Sequence, residues 1–376
     1  MIQAHRICSV LFLACCISTS ALFSCKPEPK AIILRKPITK ATADLIVRKE
    51  VRTVAFGSCA HAEQPMPVLD VAIRQKPDVF VWLGDNVYGD TEDISTLEAE
   101  YETLGQNPHF QRLDSATRLL ATWDDHDYGW NDAGRHYPLK EESKDVFLDF
   151  WKDPRDAPRK DRDGIYMSYL FDGGKQDVHI ILLDTRTFRD DLLRSQSIIL
   201  KGSNGFSYMA DYEPHRGEDS TLLGTAQWRW LKKQLNVQAD YRIIASSTQF
   251  GAEWNGYESW ANFPSEQQRM LELIEAANQK QATAVPTVFI SGDVHYAEIS
   301  KIKGGNRSAS DAIFDITASG ITSTWDFATN NANRVEGPIM ENNVGILQLG
   351  RPGKAKIVAE IWDATGQLRV EHSVLP

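Results

Sequence analysis

Metal-binding side chains follow four apolar runs of this sequence, each time where the run ends. The four segments are Gly57-Ser58-Cys59, Gly84-Asp85-Asn86-Val87-Tyr88, Asp124-Asp125-His126 and Gly292-Asp293-Val294-His295. In an open α/β sheet, ligand-binding groups gather beyond the carboxyl ends of the strands. Carboxylates brought this close repel one another strongly unless cations lie between them. The pattern therefore predicts a metal site, and the simpler alternative is a set of acidic turn residues scattered over the surface.

Short apolar runs alternate with helical stretches from Val51 onward, which predicts an α/β layered fold. Buried strands are predicted at 51–56, 78–83, 119–123, 178–183, 242–246 and 285–290. Helical periodicity is clearest over 225–235 and 265–277. The strict alternation from Asp311 onward predicts antiparallel strands that close a second sheet. The polar stretch Ser195–Thr221 is predicted to be a surface loop, and residues 49–376 are predicted to form one catalytic domain.

The first residues have the layout of a secretory signal peptide. Residues 1–24 carry a basic start, an apolar run too short to span a bilayer, and then small residues. The segment Leu22-Phe23-Ser24-Cys25 resembles a bacterial lipobox, in which the cysteine is diacylated after cleavage. We therefore expect a lipid anchor at Cys25, a tether over 25–48, and an extracytoplasmic location at the outer membrane or cell surface. The alternative is an ordinary leader in which Cys25 has no role.

Composition and cysteine usage narrow the class of protein. The chain has 376 residues, of which 42% are hydrophobic, and a formal net charge of −10, which is a globular composition with no nucleic-acid-binding signal. The sequence does not indicate an oligomeric state. Of the five cysteines, three would leave with the leader and Cys25 would be acylated, so Cys59 alone remains. A lone thiol in an oxidising compartment is either a buried structural residue or a ligand.

Six motifs together resemble a known family. They are FGSC, WLGDNVY, TWDDHDYGWND, LLDTR, LGTAQWRWL and ISGDVH. In this order they resemble the PhoD-like alkaline phosphatases, a branch of the calcineurin-like metallophosphatases, and the resemblance covers Val51 to His295. It implies a four-layer α/β/β/α sandwich with two packed mixed sheets and metals in a cleft at the strand ends.

The resemblance and the donor chemistry together predict two unlike metal sites. Cys59, Tyr88, Asp293 and His295 offer thiolate, phenolate, carboxylate and imidazole, a set that favours Fe3+. PhoD-like enzymes use a cysteine at the place of Cys59 as an iron ligand. His61, two residues further on, is not required by the resemblance and is only a candidate to lie behind the ligands and support them.

The second site would use oxygen donors alone. Asp85 would bridge the two ions, and Asp125 and Gln249 would complete a set that suits Ca2+, Mg2+ or Mn2+ rather than zinc. The resemblance selects Ca2+, with one or two ions. Asp124 is expected either to support these ligands or to bind a second Ca2+.

Three further residues are predicted to act on the substrate. By family logic His126 is the acid that protonates the leaving oxygen, and it needs a carboxylate partner to remain protonated, which Asp127 could supply only if the fold allows it. Arg186 could grip two phosphate oxygens or form an ordinary salt bridge. Asn131 could contact the phosphate or cap the following turn.

These residues lead to a hypothesis of phosphoester hydrolysis. A metal-bound hydroxide would attack phosphorus in line, the cations would neutralise the growing charge, and His126 would donate a proton to the departing oxygen. Small phosphate esters or phosphodiesters are the expected substrates. One alternative is a phosphodiesterase or phospholipase preference in the same site, and the other is a non-catalytic metal-binding surface lipoprotein.

Overall fold

The computed structural model describes residues 43–153, 157–281, 283–302, 312–350 and 356–375. The predicted signal peptide, the predicted lipidation site Cys25 and residues 25–42 of the predicted tether lie outside the described residues. The last part of that predicted tether is not a linker, because Leu45–Val47 forms a strand parallel to Met167–Asp172. In the described ranges, no helix has the length and apolar character that crossing a membrane requires.

The described residues form eighteen strands. They are β1 Leu45–Val47, β2 Thr53–Gly57, β3 Val79–Leu83, β4 Arg118–Thr122, β5 Met167–Asp172, β6 Asp177–Leu182, β7 Leu193–Arg194, β8 Ile199–Lys201, β9 Ser207–Met209, β10 Tyr212–Glu213, β11 Tyr241–Ser246, β12 Thr287–Ser291, β13 Ala297–Ile302, β14 Ile313–Ala318, β15 Arg334–Ile339, β16 Asn343–Leu349, β17 Ile357–Asp363 and β18 Leu368–Leu375. The central strands are rich in β-branched and aromatic residues, which pack well on a pleated surface.

In the part of the chain that the structure describes, seven α-helices connect or follow the strands. They are α1 Pro67–Arg74, α2 Ile94–Gln106, α3 Pro108–Ala116, α4 Asp125–Tyr128, α5 Lys140–Trp151, α6 Gly224–Gln234 and α7 Pro264–Gln279. Local chemistry determines where several of them begin. The Asp93 side chain accepts a hydrogen bond from the Ser95 N–H at the start of α2, and α3 begins with a proline at its first position after the cap Asn107.

Two mixed sheets contain most of the strands. The larger has eight strands in the order β1-β5-β6-β11-β12-β14-β13-β15, and the smaller has six in the order β18-β17-β16-β2-β3-β4. In the smaller sheet β2, β3 and β4 run parallel, while β16, β17 and β18 are antiparallel neighbours. In the larger sheet β6, β11, β12 and β14 run parallel. The carboxyl ends of these parallel strands are the ends at which the predicted ligands lie.

The apolar residues divide into three layers because side chains alternate along each strand. Val54 and Phe56 of β2 pack in the central cluster with residues of both sheets, whereas Ala55 between them packs outward against helices. The outer face of the smaller sheet is covered by α1, α2, α3 and α5. The outer face of the larger sheet is covered by α6 and α7, with Trp228 and Ile274 among the contacts. The four-layer α/β/β/α sandwich with two packed mixed sheets is thereby confirmed.

Two parts of the chain differ from the sequence prediction. The alternation after Asp311 does mark strands, but β14 joins the larger sheet, and only β16 to β18 extend the smaller one. Alternation identifies a strand with one buried face, but it carries no information about which sheet that strand joins. The stretch Ser195–Thr221 contains more regular structure than a loop, since β8 pairs with β9, and β10 returns to pair with β7.

Gly345 allows two strands of the smaller sheet to pack closely. It is the register partner of Phe56, and a Cβ at this position would lie 2.2 Å from the ring of that residue. Because Phe56 is fully buried and its ring cannot leave the core, Gly345→Ala should lower the free energy of unfolding by about 1–3 kcal/mol in urea denaturation. Gly217→Ala is the control, since its Cβ would meet nothing closer than 3.9 Å. Equal stability of the two variants would contradict this packing.

Candidate metal centre

The loops that follow the parallel strands approach one another very closely. A Cβ on Gly84 would lie 2.5 Å from Cβ of Asp124, and one on Gly292 would lie 2.4 Å from Oγ of Ser58. Glycine is therefore required where the loop after β3 passes the loop after β4, and where the loop after β12 passes the loop after β2. This close approach brings side chains from four strands into one place.

Four predicted ligands have an unusual backbone conformation. Cys59, Asp85, Asp293 and His295 have φ angles of 64°, 48°, 74° and 57°. Non-glycine residues rarely adopt this left-handed region, and such strained residues concentrate at functional sites. The surrounding fold must therefore hold these turns in place.

The structure brings the predicted ligands together into groups whose donor atoms all lie within 4.8 Å of one another. The groups are Cys59, Asp85 and His295; Asp85, Asp125 and His126; and Asp85, Asp124, Asp125 and Asp293. Asp85 belongs to every group, which is the position expected of a bridging ligand. Asp293 groups with the other carboxylates rather than with Cys59 and His295, so its assignment to an iron site stays a prediction.

One side of the centre combines sulfur, phenol and imidazole. Sγ of Cys59 lies 3.4 Å from Oδ2 of Asp85, and Oη of Tyr88 lies 3.1 Å from Nε2 of His295. Burial raises the pKa of the Cys59 thiol to about 12 and raises the pKa of the Tyr88 phenol well above its usual value. Without a cation both groups keep their protons. Burial, assisted by His126, lowers the pKa of His295 to about 4, so its imidazole is neutral and able to bind a metal.

The other side consists of crowded carboxylates. Burial, together with neighbouring negative charge, raises the pKa of Asp85 and of Asp293 well above the usual range. Burial also raises the pKa of Asp124 to about 8, although Arg186 opposes the effect. Burial acts on Asp125 in the same sense, but Arg186 and His126 outweigh it and the pKa falls to about 2.

The carboxylates also have free coordination capacity. Oδ2 of Asp124 and Oδ1 of Asp125 are buried without a hydrogen-bond partner among the described residues. Buried carboxylate oxygens are nearly always satisfied, so orphaned oxygens in a cluster of acids fit a site for cations. The donor set therefore fits metal cofactors, with oxygen donors on one side and sulfur, phenol and imidazole on the other.

Arg186 is a fully buried ion-pair residue. Its guanidinium bonds the Asp124 carboxylate and donates to Oε2 of Glu258 at 2.8 Å, while Nε of Arg189 lies 3.0 Å from the other oxygen of Glu258. The salt bridge left open by the sequence is thus present, and phosphate binding by Arg186 stays a prediction. Ser247 also donates to Asp124 at 2.6 Å, so Asp124 is held from two directions.

Three other predicted residues lie around the centre. The ring of His61 stacks on Tyr88 with centroids 4.0 Å apart, which is where a supporting residue would lie. The Asn131 side chain is exposed, one residue before Asp132, whose N–H donates to Asp125 at 2.7 Å. The Gln249 amide nitrogen donates to Glu298 and Thr317, which leaves its buried Oε1 without a partner among the described residues. Their roles stay predictions.

His126 has a carboxylate partner, and the partner is Asp90. Nδ1 of His126 lies 2.6 Å from Oδ1 of Asp90. Burial alone would lower the pKa of His126, but Asp85, Asp90 and Asp125 outweigh it and raise the pKa to about 10. Asp127, the neighbour in sequence, is not the partner, and nothing in the spacing of Asp90 distinguishes it from other loop acids.

Asp127 has a different role, which sequence reasoning missed. Its buried carboxylate accepts hydrogen bonds from the N–H of Asp124 at 2.6 Å, from the N–H of Asp85 and of Asn86 at 3.3 Å, and from the Tyr101 hydroxyl at 3.1 Å. It thereby joins the loop after β3 to the start of α4. The signal was available, because an acid three residues after an N-cap Asp is the spacing of a capping box.

Asp127→Asn should loosen the centre. An amide presents two donors where the carboxylate accepts, so at least one buried N–H would lose its partner and the free energy of unfolding should fall by about 1–3 kcal/mol. Metal affinity measured by calorimetry should weaken, because both ligand loops lose their common anchor. Asp114→Asn, at an exposed position of α3, is the control and should change stability by less than about 0.5 kcal/mol. Identical behaviour of the two variants would show that Asp127 does not hold these loops.

The chain is similar to known phosphatases in sequence and in structure. Alkaline phosphatase D of Bacillus subtilis (strain 168) is 24% identical over 322 residues, which cover 75% of this chain and 52% of the relative. The chain thus spans about half the length of this curated relative. A solved structure of PhoD superposes with a TM-score of 0.60 at 18% identity, covering 87% of this chain and 73% of the other.

A second solved structure shares the fold. Purple acid phosphatase PPD1 from yellow lupin (Lupinus luteus) seeds superposes with a TM-score of 0.52 at 12% identity, covering 85% of this chain and 53% of the other. At these identities the two structures show a common fold alone. The family model of the PhoD-like phosphatases matches residues 54–359, which is most of the sequence. The chain therefore belongs to the PhoD-like phosphatase family.

Proposed function

We propose that this chain is a metal-dependent phosphoester hydrolase of the alkaline phosphatase type. The observation that carries the proposal is the place of His126, a proton-bearing imidazole within 4.8 Å of donor atoms of Asp85 and Asp125 and paired with Asp90. A purely structural metal site has no need of an acid beside its ligands. Family membership supports the same reaction class.

The donor chemistry supports two different cations. Cys59, Tyr88 and His295, with Asp85 and Asp293 beside them, would hold Fe3+, because thiolate and phenolate favour a strongly charged transition ion. The oxygen donors of Asp85, Asp124, Asp125 and Gln249 would hold one or two Ca2+, or alternatively Mg2+ or Mn2+. When bound, the metals supply positive charge for the phosphoryl oxygens and a water whose pKa is lowered toward neutrality.

The chain's own residues supply the proton. With Nδ1 against the Asp90 carboxylate, the second nitrogen of His126, Nε2, is the one that can donate to the leaving oxygen. Asp90 orients the ring and stabilises its charged form. No serine, threonine or aspartate occupies a nucleophile motif in the sequence, so we expect a single displacement and inversion at phosphorus.

The activity is tested on protein reconstituted with Fe3+ and Ca2+, with metal content verified by elemental analysis. p-Nitrophenyl phosphate and its bis-ester should be hydrolysed, and their relative kcat/KM values assign the enzyme to monoesters or diesters. His126→Ala should lower kcat by about 10²- to 10⁴-fold at unchanged metal content. If bound metal raises the melting temperature but no phosphoester is cleaved, the chain is a metal-binding protein and the hydrolase proposal is wrong.

Asp90→Asn should change the pH dependence of the reaction. The Asp90 carboxylate raises the pKa of His126, so its removal lets the imidazole lose its proton at lower pH. Since a general acid must be protonated to act, the alkaline limb of the kcat–pH profile should move down by about one to two pH units.

The chain offers a matched control for that shift. His109 pairs with Asp70 at 2.8 Å on the helical surface, outside the metal centre, and Asp70→Asn should leave the kcat–pH profile unchanged. If both variants keep the wild-type profile, His126 does not supply the proton that limits the reaction.

A further inference from the structure

A series of aromatic rings leads from the candidate metal centre to the surface. The Trp325 ring lies 5.4 Å from the His295 ring, and the Phe327 ring lies 5.7 Å beyond it, inclined by 18°. The Phe206 ring follows at 6.4 Å. Two tyrosine rings lie beside these three side chains. We call the five residues the apolar wall; they are Phe206, Tyr208, Tyr257, Trp325 and Phe327.

The flank of the apolar wall is closed by further ring contacts. Tyr208 stacks on Tyr257 at 5.3 Å and contacts Phe327 at 5.4 Å, while Tyr257 contacts Trp325 at 5.3 Å. Each ring therefore contacts at least one other, and the set forms one continuous aromatic surface. Tyr208 is buried, Tyr257, Trp325 and Phe327 are half-buried, and Phe206 at the outer end is exposed.

Backbone hydrogen bonds hold the apolar wall against the centre. The N–H of Trp325 donates to the carbonyl of His295 at 3.2 Å, and the N–H of Ser203 donates to the carbonyl of Ala328 at 2.8 Å. The hydroxyl of Tyr208 donates to the carbonyl of Asn255 at 2.6 Å. The hairpin formed by β8 and β9 is thus fastened to the segment that carries Trp325 and Phe327, and it extends the wall outward.

The outer end of the wall carries an unusual amount of exposed apolar surface. Ile199, Phe206 and Met209 are 71%, 63% and 63% exposed, more than any other large apolar side chain in the described part of the chain. Ile199 and Met209 are cross-strand partners of β8 and β9, so their side chains lie on the same face of the hairpin. Because side chains alternate along a strand, Met209 lies on the face of the hairpin opposite to Tyr208. Phe206, which contacts Phe327, is therefore the exposed end of the wall itself. Exposed apolar surface of this kind often marks a binding site.

We propose that the apolar wall binds the apolar organic group of a phosphate ester whose phosphate lies at the metal centre. This inference rests on the proposed hydrolase function and narrows its substrate class to esters with an extended apolar portion. Trp325, the first ring of the wall, contacts the His295 ring of the centre, and a surface that only docked a membrane or a partner protein would not need to reach His295. Aromatic side chains suit the task, because they offer large rigid contact area without charge.

The test compares substrates that share the phosphate and differ in the organic group. Full-length protein reconstituted with Fe3+ and Ca2+ is assayed with 1-naphthyl phosphate, decyl phosphate and glycerol 1-phosphate. Phe206→Ala and Phe327→Ala should lower the ratio of kcat/KM for the apolar esters to that for glycerol 1-phosphate by about 3- to 10-fold, chiefly through KM. The naphthyl and decyl arms distinguish an aromatic from an aliphatic group.

Leu368→Ala is the control, because this side chain is also exposed, at 38%, but belongs to β18 of the other sheet. It should leave every ratio unchanged. The proposal would be overturned if both wall variants kept the wild-type kcat/KM ratios. If the variants kept these ratios but no longer bound phosphatidylglycerol vesicles, the wall would instead be a membrane-docking surface. If wild-type protein cleaves none of the esters, the hydrolase proposal is wrong, but the wall can still be tested by binding. Calorimetry should then show that 1-naphthyl phosphate binds more weakly to Phe206→Ala than to wild-type protein, and equal binding would overturn the wall proposal.

Discussion

Mutual repulsion of buried carboxylates is the constraint on which this structure depends. Oxygens of Asp85, Asp124, Asp125 and Asp293 lie within 4.8 Å of one another, and burial removes the water that would screen them. Arg186 offsets part of this charge and is shared with Glu258. Burial, together with the negative charge that Arg186 does not offset, raises the pKa of Asp85 and of Asp293. Cations between these oxygens would relieve it, so the site is arranged for occupants that carry more positive charge than the protein itself supplies.

The rest of the fold serves to keep these groups together. Each acid stands on a turn immediately after a strand of a fully packed sheet, so the loops cannot relax without disturbing the core between the sheets. Glycine at position 84 lets two loops touch, and Asp127 ties them through backbone N–H groups. Positive φ angles at Cys59 and Asp85 are stabilised by this surrounding structure. The packed core between the two sheets thus keeps the donor atoms in fixed positions.

The sequence predicted the strand ends well because two local signals coincide there, a short apolar run and a polar turn. Contacts across the fold could not be predicted in this way. Asp90 pairs with His126 across 36 positions, and Glu258 meets Arg186 across 72, and neither acid carries a local pattern that marks it. The prediction that the strands after Asp311 close the second sheet was wrong for β14 for a similar reason, since alternation describes one strand and pairing involves two. Asp127 is the exception, because its capping-box spacing was visible beforehand.

The two sides of the centre differ in a way that bears on how an ester would lie. Asp85 is common to the group that contains His126 and the group that contains His295. The Tyr88 ring contacts both imidazoles, with centroids 4.4 Å from His126 and 6.5 Å from His295. The apolar wall begins one ring beyond His295, at Trp325, so the Tyr88 and His295 rings lie along the path from His126 to the wall. On the proposed function an ester would present its ester bond to His126, and on the proposed binding surface its organic group would extend along Trp325, so the two proposals require the substrate to lie in one orientation.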